Sequence, residues 1–349
     1  MKQEEIINGF VQLGKLMCAL GENKEWTDFS IGVTSDEYNS LEIVINRQVS
    51  YNGWFTKENV RKSLLEIGNN LISRKLEDWS SRYSFSNKSK SVALIMAGNI
   101  PLVGFHDFLC VLLSGNKAVC KLSSDDKTLL PALGECLIKF VPELKERIVF
   151  TTGRIGEIDA VIATGSDNSL KYFEQYFGKY PHIFRKNRTS VAVFNGNETE
   201  GEIKALGTDI FSYFGLGCRN VSHLLLPKGF ELKRFFEGVF SFSEIIHNNK
   251  YGNNYDYNKA VYLLNQHELL DNNFVLLRES EDLFSPLSMI HYHFYENQNE
   301  VDEYLEKNKD KIQVVVGTEE FPFGSAQCPM LDDYADGVDV MEFLEELKD

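Results

Sequence analysis

Phe214-Gly215-Leu216-Gly217-Cys218-Arg219-Asn220 is the stretch of this 349-residue chain whose residue types can do covalent chemistry. Two glycines in the three residues before the cysteine let the backbone turn sharply at little steric cost. A thiol on such a turn can face an open cleft together with the amide behind it, and thiolates are intrinsically strong nucleophiles. The residues alone leave a second reading open, a small buried cysteine in a tight turn.

Other groups can bind instead of react. Thr164-Gly165-Ser166 ends an apolar strand just before a helical run. Gly165 lets a phosphate approach the backbone, Ser166 offers a hydroxyl, and the helix start offers free amides. An ordinary N-cap turn is the other reading of the same residues. Lys121 closes a short strand, and the carboxyl ends of strands are where open parallel sheets bind ligands; a solvated lysine is the alternative. No GxGxxG run is present, so a standard dinucleotide pyrophosphate loop is unsupported. His223 stands five residues after Cys218, which allows a Cys-His pair or a core histidine. His291 and His293 alternate onto one strand face, but no acidic partner stands at metal spacing, so no metal site is expected. Arg185, Lys186 and Arg188 offer either phosphate contacts or a solvated loop.

The elements that must position these residues alternate. Ser91 to Ala97 reads as an apolar strand, followed by the turn Gly98-Asn99-Ile100-Pro101 and a helix over 103–113. A strand over 117–122, a helix over 129–140, strands over 148–151 and 160–163, and a helix over 168–177 come next. This order predicts a parallel α/β sheet with crossover helices. A second α/β unit is expected from residue 184. It holds a strand over 191–194, an amphipathic helix over 202–214 leading to Cys218, helices over 233–246 and 258–270, strands at Val275 and Met289, a helix over 300–308 and a strand over 312–316. The amide-rich segment 248–258 reads as a surface loop. The first 90 residues read as a helical arm, with a stripe of Ile6, Phe10, Leu13, Met17 and Leu20. A helix over 58–83 follows the cap Thr56, and a short strand is expected over 41–45. The domains expected are 1–183 (arm and cofactor domain), 184–320 (catalytic domain) and 321–349 (a terminal segment packing back on the body).

A net charge of −15 disfavours nucleic acid or an anionic membrane as the main partner. The six cysteines show no CxxC pairing and read as reduced, intracellular thiols. No apolar run approaches the ~20 residues of a membrane span, so a cytoplasmic protein is expected.

Taken together, these pieces resemble the aldehyde dehydrogenase superfamily, and specifically its acyl-CoA reductase branch, the type that makes fatty aldehyde for bacterial luminescence. Asn99-Ile100-Pro101-Leu102 looks like the superfamily's Asn-x-Pro-Leu turn, Gly115-Asn116 through Lys121 like its Gly-Asn…Lys strand, and Thr164-Gly165-Ser166 like its Thr-Gly-Ser turn. Gly217-Cys218 sits where the nucleophile does. Glu281-Asp282-Leu283-Phe284-Ser285-Pro286 looks like Glu-Glu-Ile-Phe-Gly-Pro, and the ending from Phe321 to Gln327 with Tyr334-Ala335-Asp336-Gly337 is similar to the reductase branch. The resemblance runs from about Ser91 onward. It implies a Rossmann-like parallel-sheet cofactor domain plus an α/β catalytic domain, here with a helical N-terminal arm. It also implies NADPH-dependent reduction of an acyl-CoA thioester to an aldehyde through an acyl-cysteine on Cys218. Asn99 and the Cys218 amide would hold the oxyanion. Lys121 would hold the adenosine ribose, with Gly165 and Ser166 near the pyrophosphate and Asp282 and Phe284 at the nicotinamide ribose and ring. Ser124 stands where NAD-preferring relatives carry a glutamate, which favours NADP. A homodimer and an acyl-transfer partner protein are both compatible with this reading.

Two departures stand out. The general-base glutamate of the superfamily falls on His182-Ile183-Phe184-Arg185-Lys186-Asn187-Arg188, where no carboxylate stands. Hydrolysis of an acyl-enzyme needs a base to activate water, so an acid-forming dehydrogenase is disfavoured. The chain is also shorter than typical members, so the arm and any oligomer contacts are not implied. A cysteine-dependent acyltransferase without hydride transfer and a non-catalytic relative are the competing readings.

Overall fold

Thr34 accepts from the Glu37 amide and the Glu37 carboxylate accepts from the Thr34 amide. This capping box satisfies two helix-end donors and starts a helix. The computed structural model describes residues 2–85 and 88–347, and its chain opens with α1 (Gln3–Gly21), α2 (Ser35–Tyr51), α3 (Lys57–Gly68) and α4 (Ser73–Ser80). The strand expected over 41–45 is therefore part of α2. Its local alternation is overridden by the buried set Tyr38, Leu41, Ile45 and Gln48, which keeps helical spacing from the capped start onward. The helix expected over 58–83 is two helices, broken after Gly68 at Asn69-Asn70.

From there strands and helices alternate as β1 (Ser91–Ile95), α5 (Phe105–Leu113), β2 (Lys117–Lys121), α6 (Leu129–Phe140), β3 (Ile148–Thr151), β4 (Ala160–Thr164), α7 (Asp167–Phe177) and β5 (His182–Arg185). The five strands form one parallel sheet in the order β3-β2-β1-β4-β5. The order reverses between β1 and β4, so the loops leaving these two strands flank the crevice where open α/β sheets take ligands. Phe10 of α1 meets Phe105 and Phe108 of α5 edge-on at 6.3 and 6.4 Å, which seats the arm on the sheet's helices.

The second sheet is built from β6 (Thr189–Val193), α8 (Glu200–Phe211), β7 (Val221–Pro227), α9 (Leu232–Val239), α10 (Asn249–Leu264), β8 (Leu270–Asp271), β9 (Leu276–Glu279), β10 (Met289–Tyr295), α11 (Gln298–Asn308) and β11 (Ile312–Val316). Its order is β11-β6-β7-β10-β9-β8, parallel except for the β8–β9 pair. The segment 248–258, expected as a loop, lies mostly in α10. Asn248 caps it by accepting from the amides of Lys250 and Tyr251, and burial of Tyr251, Tyr255 and Asn258 at helical spacing outweighs the amide-rich composition. The last helix is α12 (Val340–Glu346).

Two compact units result, one of residues up to 186 with those from 330 on, the other of residues 187–329. In the first unit Tyr334, in the Tyr-Ala-Asp-Gly stretch, accepts from Trp79 Nε1 at 2.9 Å and lies 2.9 Å from the Tyr83 hydroxyl, which donates to Asp339. This anchors the returning segment to the end of the arm. Among the described residues no helix is long and apolar enough to cross a membrane.

Candidate active site

In the first unit the oxyanion candidate Asn99 and the cofactor candidates gather at the carboxyl edge of the parallel sheet. Asn99 follows β1 and is exposed, Lys121 ends β2, and Gly165-Ser166 follow β4. The turn that carries Asn99 is held from below. Asp126, buried, accepts from the Leu102 amide at 3.0 Å, and Leu102 adopts a left-handed φ of 59°. Burial without a cation pushes the Asp126 carboxyl up to about 6. The Asp126 carboxylate is thus turned away from solvent, to the loop that carries Asn99. Ser124 and Asp125 are exposed beside it. Lys121 donates to the Gly153 carbonyl at 2.8 Å, so its ammonium is kept at the strand end.

Ser166 is the N-cap of α7, its hydroxyl accepting from the Ser169 amide. The N-cap reading thus holds, and the same geometry leaves the remaining first-turn amides of an 11-residue helix beside the crevice. A Cβ on Gly165 would stand 2.8 Å from Ser169 Cβ and 3.0 Å from the Phe173 ring, so only glycine permits this close approach of strand end and helix. A reversal of strand order, a glycine turn and a free helix start are what a dinucleotide needs. The residues present fit that group.

The basic segment is divided by burial. Both terminal nitrogens of Arg185 bind the Asp107 carboxylate at 2.5 and 2.7 Å in the interior, which removes this arginine from phosphate binding. Arg188 donates to the Ile312 carbonyl at 2.9 Å, and Lys186 is exposed.

In the second unit the chain reaches Cys218 through a strained turn. Tyr213, Phe214 and Gly215 have φ of 52°, 60° and 79°, three left-handed residues in succession. For the two non-glycines this costs roughly 1–2 kcal/mol each. Asn220, 2 % exposed, compensates. Its Oδ1 accepts from the Gly217 amide at 2.8 Å, and its Nδ2 reaches the carbonyls of Asp209, Ile210 and Ser212 at 2.9 to 3.2 Å. The side chain therefore ties the open C-terminus of α8 to the cysteine turn. Ser190 donates to the Cys218 carbonyl at 3.1 Å. The Asp209 carboxylate, fully buried on α8, accepts from the amides of Gly324 and Ala326 at 2.6 and 3.0 Å, while Arg219 donates to the Ala326 carbonyl at 3.1 Å. The motif from Phe321 to Gln327 is thereby fixed to both sides of the cysteine turn.

Cys218 is exposed. Cys110 and Cys120 are buried, and burial pushes their thiols well up; it pushes the Cys136 thiol to about 11. The bland reading of a buried turn cysteine thus does not describe Cys218. Beneath the turn lies a cavity of 230 Å³ with Phe214, Leu216, Val221, Val275, Leu287 and Met289 in its wall.

Asp282 and Phe284 precede β10 as Cys218 precedes β7, and the two strands are parallel neighbours, with His223 in register with His291. Cys218 thus lies at the amino end of β7, while Asp282 and Phe284 lie in the connection from the carboxyl end of β9 to the amino end of β10. Asp282 is exposed, and Phe284 keeps 38 % of its surface accessible, an aromatic face available for stacking. His223 is not paired with the thiol; its ring nitrogens meet the Asp282 carbonyl and His293. Among the described residues no group of three His, Cys, Asp or Glu side chains is placed to hold a metal.

Comparison with known proteins gives one family and one fold. The family described as acyl-CoA reductase (LuxC) matches residues 33–231. No curated protein sequence matches significantly. Aldehyde dehydrogenase 21 from Physcomitrella patens, solved with the reaction product succinate, superposes with a TM-score of 0.64 at 12 % identity over 99 % of this chain and 84 % of that one. An indole-3-acetaldehyde dehydrogenase from P. syringae, solved as a cysteine-to-alanine mutant with NAD+ and IAA, gives 0.60 at 11 % over 87 % and 70 %. An E. coli NADP dependent enzyme gives 0.57 at 12 % over 87 % and 71 %. The fold is that of the aldehyde dehydrogenases, as the motifs imply.

Proposed function

Because the chain belongs to the acyl-CoA reductase (LuxC) family, we propose that this oxidoreductase converts an acyl-CoA thioester to the aldehyde with NADPH, through an acyl group on Cys218. The observation that carries this reading is the exposed Cys218 on a strained turn stapled by the buried Asn220. Stored strain of this kind persists only where the surroundings over-determine it, and it collects at reactive sites.

Cys218 attacks the thioester carbonyl as the thiolate. The C–S bond to CoA breaks, CoA leaves with the electron pair, and a proton restores its thiol. The acyl group is now a thioester of Cys218. A reduced nicotinamide held by the candidate cofactor residues would supply hydride to that carbonyl carbon. Collapse then returns the Cys218 thiolate and releases aldehyde. Asn99 takes the role of oxyanion donor, a function worth roughly 3 kcal/mol for one group. Lys121 and Ser124 serve the adenosine ribose and its phosphate, Gly165 and Ser166 the pyrophosphate, Asp282 and Phe284 the nicotinamide end. The cavity beneath the cysteine turn, whose wall includes Ser222, Ser285 and Ser288 along with its apolar residues, offers room for an acyl tail. With no carboxylate in His182 to Arg188, the acyl-cysteine waits for hydride or CoA instead of water.

The test is a panel of acyl-CoA thioesters with NADPH, followed by loss of the reduced nicotinamide's absorbance and by detection of aldehyde. Acylation of Cys218 with no consumption of reduced nicotinamide would make the protein an acyltransferase. No acylation of Cys218 at all would make it a non-catalytic relative.

A further inference from the structure

Glu281, Asp282 and Leu283 form no strand, yet their three successive carbonyls all receive side-chain donors. Tyr304 on α11 donates its hydroxyl to Glu281 O at 3.1 Å. Asp282 O lies 3.1 Å from His223 Nδ1 on β7 and 2.9 Å from His291 Nδ1 on β10. Ser222 on β7 donates to Leu283 O at 3.0 Å.

A carbonyl can only accept, so both histidines carry their proton on Nδ1. Nε2 of the neutral His223 is then an acceptor, and His293 Nδ1, 2.8 Å away, donates to it. One tautomer of each ring follows from a single carbonyl. His223 and His291 are 0 % and 2 % exposed, and burial pushes both imidazoles down, which keeps them neutral. The same carbonyl-holding strand runs back to the nucleophile. Ser222 lies 2.7 Å from the Thr189 hydroxyl, Thr189 donates to Asn220 O, and Asn220 staples the Cys218 turn.

We propose that His223 and His291, with Ser222 and Tyr304, are positioning residues that set the carbonyls of Glu281, Asp282 and Leu283, and so aim Asp282 and Phe284 at the nicotinamide end of the cofactor. The inference rests on the assignment of Asp282 and Phe284 to that end of the cofactor. Four donors from three elements on consecutive carbonyls exceed what burying a loop requires, because a solvated segment satisfies its carbonyls with water. Their convergence sets the segment's rotation about its own axis, hence the direction of the side chains on either side of Asp282 O. None of the four touches the reacting atoms.

The experiment measures NADPH binding to the full chain by titration, and separately the rate at which an acyl-CoA acylates Cys218 without nicotinamide. His223→Phe removes a donor and is expected to raise the Kd for NADPH about tenfold, equal to about 1.4 kcal/mol. Cys218 acylation should fall by no more than about twofold, since the thiol is held through Asn220. His223→Asn, whose amide can stand in for Nδ1, should restore binding to within about threefold of the wild type. A loss of both readouts in parallel, or binding unchanged in both variants, overturns the proposal. Should His223→Phe fail to fold, Ser222→Ala decides: it is expected to weaken NADPH binding about threefold, and an unchanged Kd refutes the role. A wild-type protein that binds no reduced nicotinamide refutes the functional reading itself and this inference with it.

Discussion

The lysine candidate of the first sheet and the cysteine candidate of the second stand at opposite strand ends. In the first unit Asn99, Lys121 and Gly165-Ser166 lie at the carboxyl ends of β1, β2 and β4, where backbone amides, a helix start and one lysine do the binding. In the second, Cys218 lies in the turn before β7 and Asp282-Phe284 in the connection from β9 to β10, and side chains fix both: Asn220, Asp209, Ser222, His223 and His291. A carboxyl-edge site comes with the topology, since strand ends and helix starts converge there in any such sheet. An amino-edge site has no such inheritance, and its loops must be pinned one hydrogen bond at a time. The first arrangement tolerates change in side chains; the second should not.

The largest effect that tests this contrast belongs to the nucleophile. Cys218→Ala should lower reductase turnover by about 10⁴-fold or more, while the Kd for NADPH stays close to the wild type. Turnover retained by the variant would move the chemistry away from this turn. Asn220→Ala comes next. It leaves the α8 carbonyls and the Gly217 amide without their partner, and should destabilise the protein by about 3 kcal/mol as read by denaturant unfolding. Asn220→Asp keeps the acceptor but loses the donors, so it should recover little. In the first unit, Ser166→Ala should cost only about 1 kcal/mol, the ordinary value of an N-cap. Equal losses for Asn220→Ala and Ser166→Ala would erase the distinction between the two edges.

The same contrast explains what could be read from the residues. Four of the five strands of the first sheet are legible because each is a short apolar run between turn residues; β5, His182 to Arg185, is not, because its polar and basic residues hide the strand. The cofactor motifs are local in sequence. The two glycines before Cys218 mark a sharp turn there but leave open whether the thiol is exposed or buried, which the structure answers. Asn220 stands in the same stretch, but its partners Asp209, Ile210 and Ser212 lie back along α8, so its role shows only in three dimensions. His223 was seen only as a partner for the thiol or a core residue. Its true acceptor, Asp282, is 59 residues away, and no spacing signal links the two. The sequence leaves open whether Asp126 points toward solvent or toward a phosphate; the backbone turns it under Leu102. The helix misread as a strand at 41–45 and the helix misread as a loop at 248–258 share one cause. Both are decided by buried residues at helical spacing and by a cap, Thr34 upstream of the first and Asn248 at the start of the second.

Acid should separate the units further. His223 is pushed down to about 3 by burial first and by its histidine neighbours second, against an ordinary value of 6.5. The unfolded chain takes up that proton first, so stability is lost as pH falls below about 6.5. His291 and His293 act in the same direction; Glu281 and Glu300 oppose the shift at His293, and Arg278 reinforces it at His291. Asp126 has the opposite sign. Its carboxyl, raised from 3.8 to about 6, is protonated in the folded state first, so its contribution is lost as pH rises from about 4 toward 6 and beyond. Melting temperatures across this range should therefore fall less steeply toward acid in His223→Asn than in the wild type. Asp126→Asn should gain on the wild type as pH rises from about 4 to 7. Parallel profiles for all three proteins would remove both groups from the account.

The smallest effect concerns cofactor choice, and it probes the backbone-made edge. The position three residues after Lys121 is Ser124, exposed, where a carboxylate would accept from an unphosphorylated ribose and repel a 2′-phosphate. Of the two aspartates that follow, Asp126 is withdrawn under the Leu102 amide, which leaves Asp125 as the exposed carboxylate beside Ser124. Asp125 N is held by Ser123 Oγ at 3.2 Å, so the loop between Lys121 and Asp125 has a defined course. A serine hydroxyl can donate to the phosphate, and the Lys121 ammonium, kept at the strand end by Gly153 O, can neutralise it. The expected preference is NADPH over NADH by about tenfold in kcat/KM, equal to about 1.4 kcal/mol in transition-state binding. Ser124→Glu should erase or reverse it, and Asp125→Asn should widen it by about threefold. Because Ser124 is exposed, both substitutions should leave the melting temperature nearly unchanged, in contrast to any change at Asn220 or Asp209. A wild type that favours NADH, with the ratio indifferent to Ser124→Glu, would place the ribose elsewhere on the carboxyl edge.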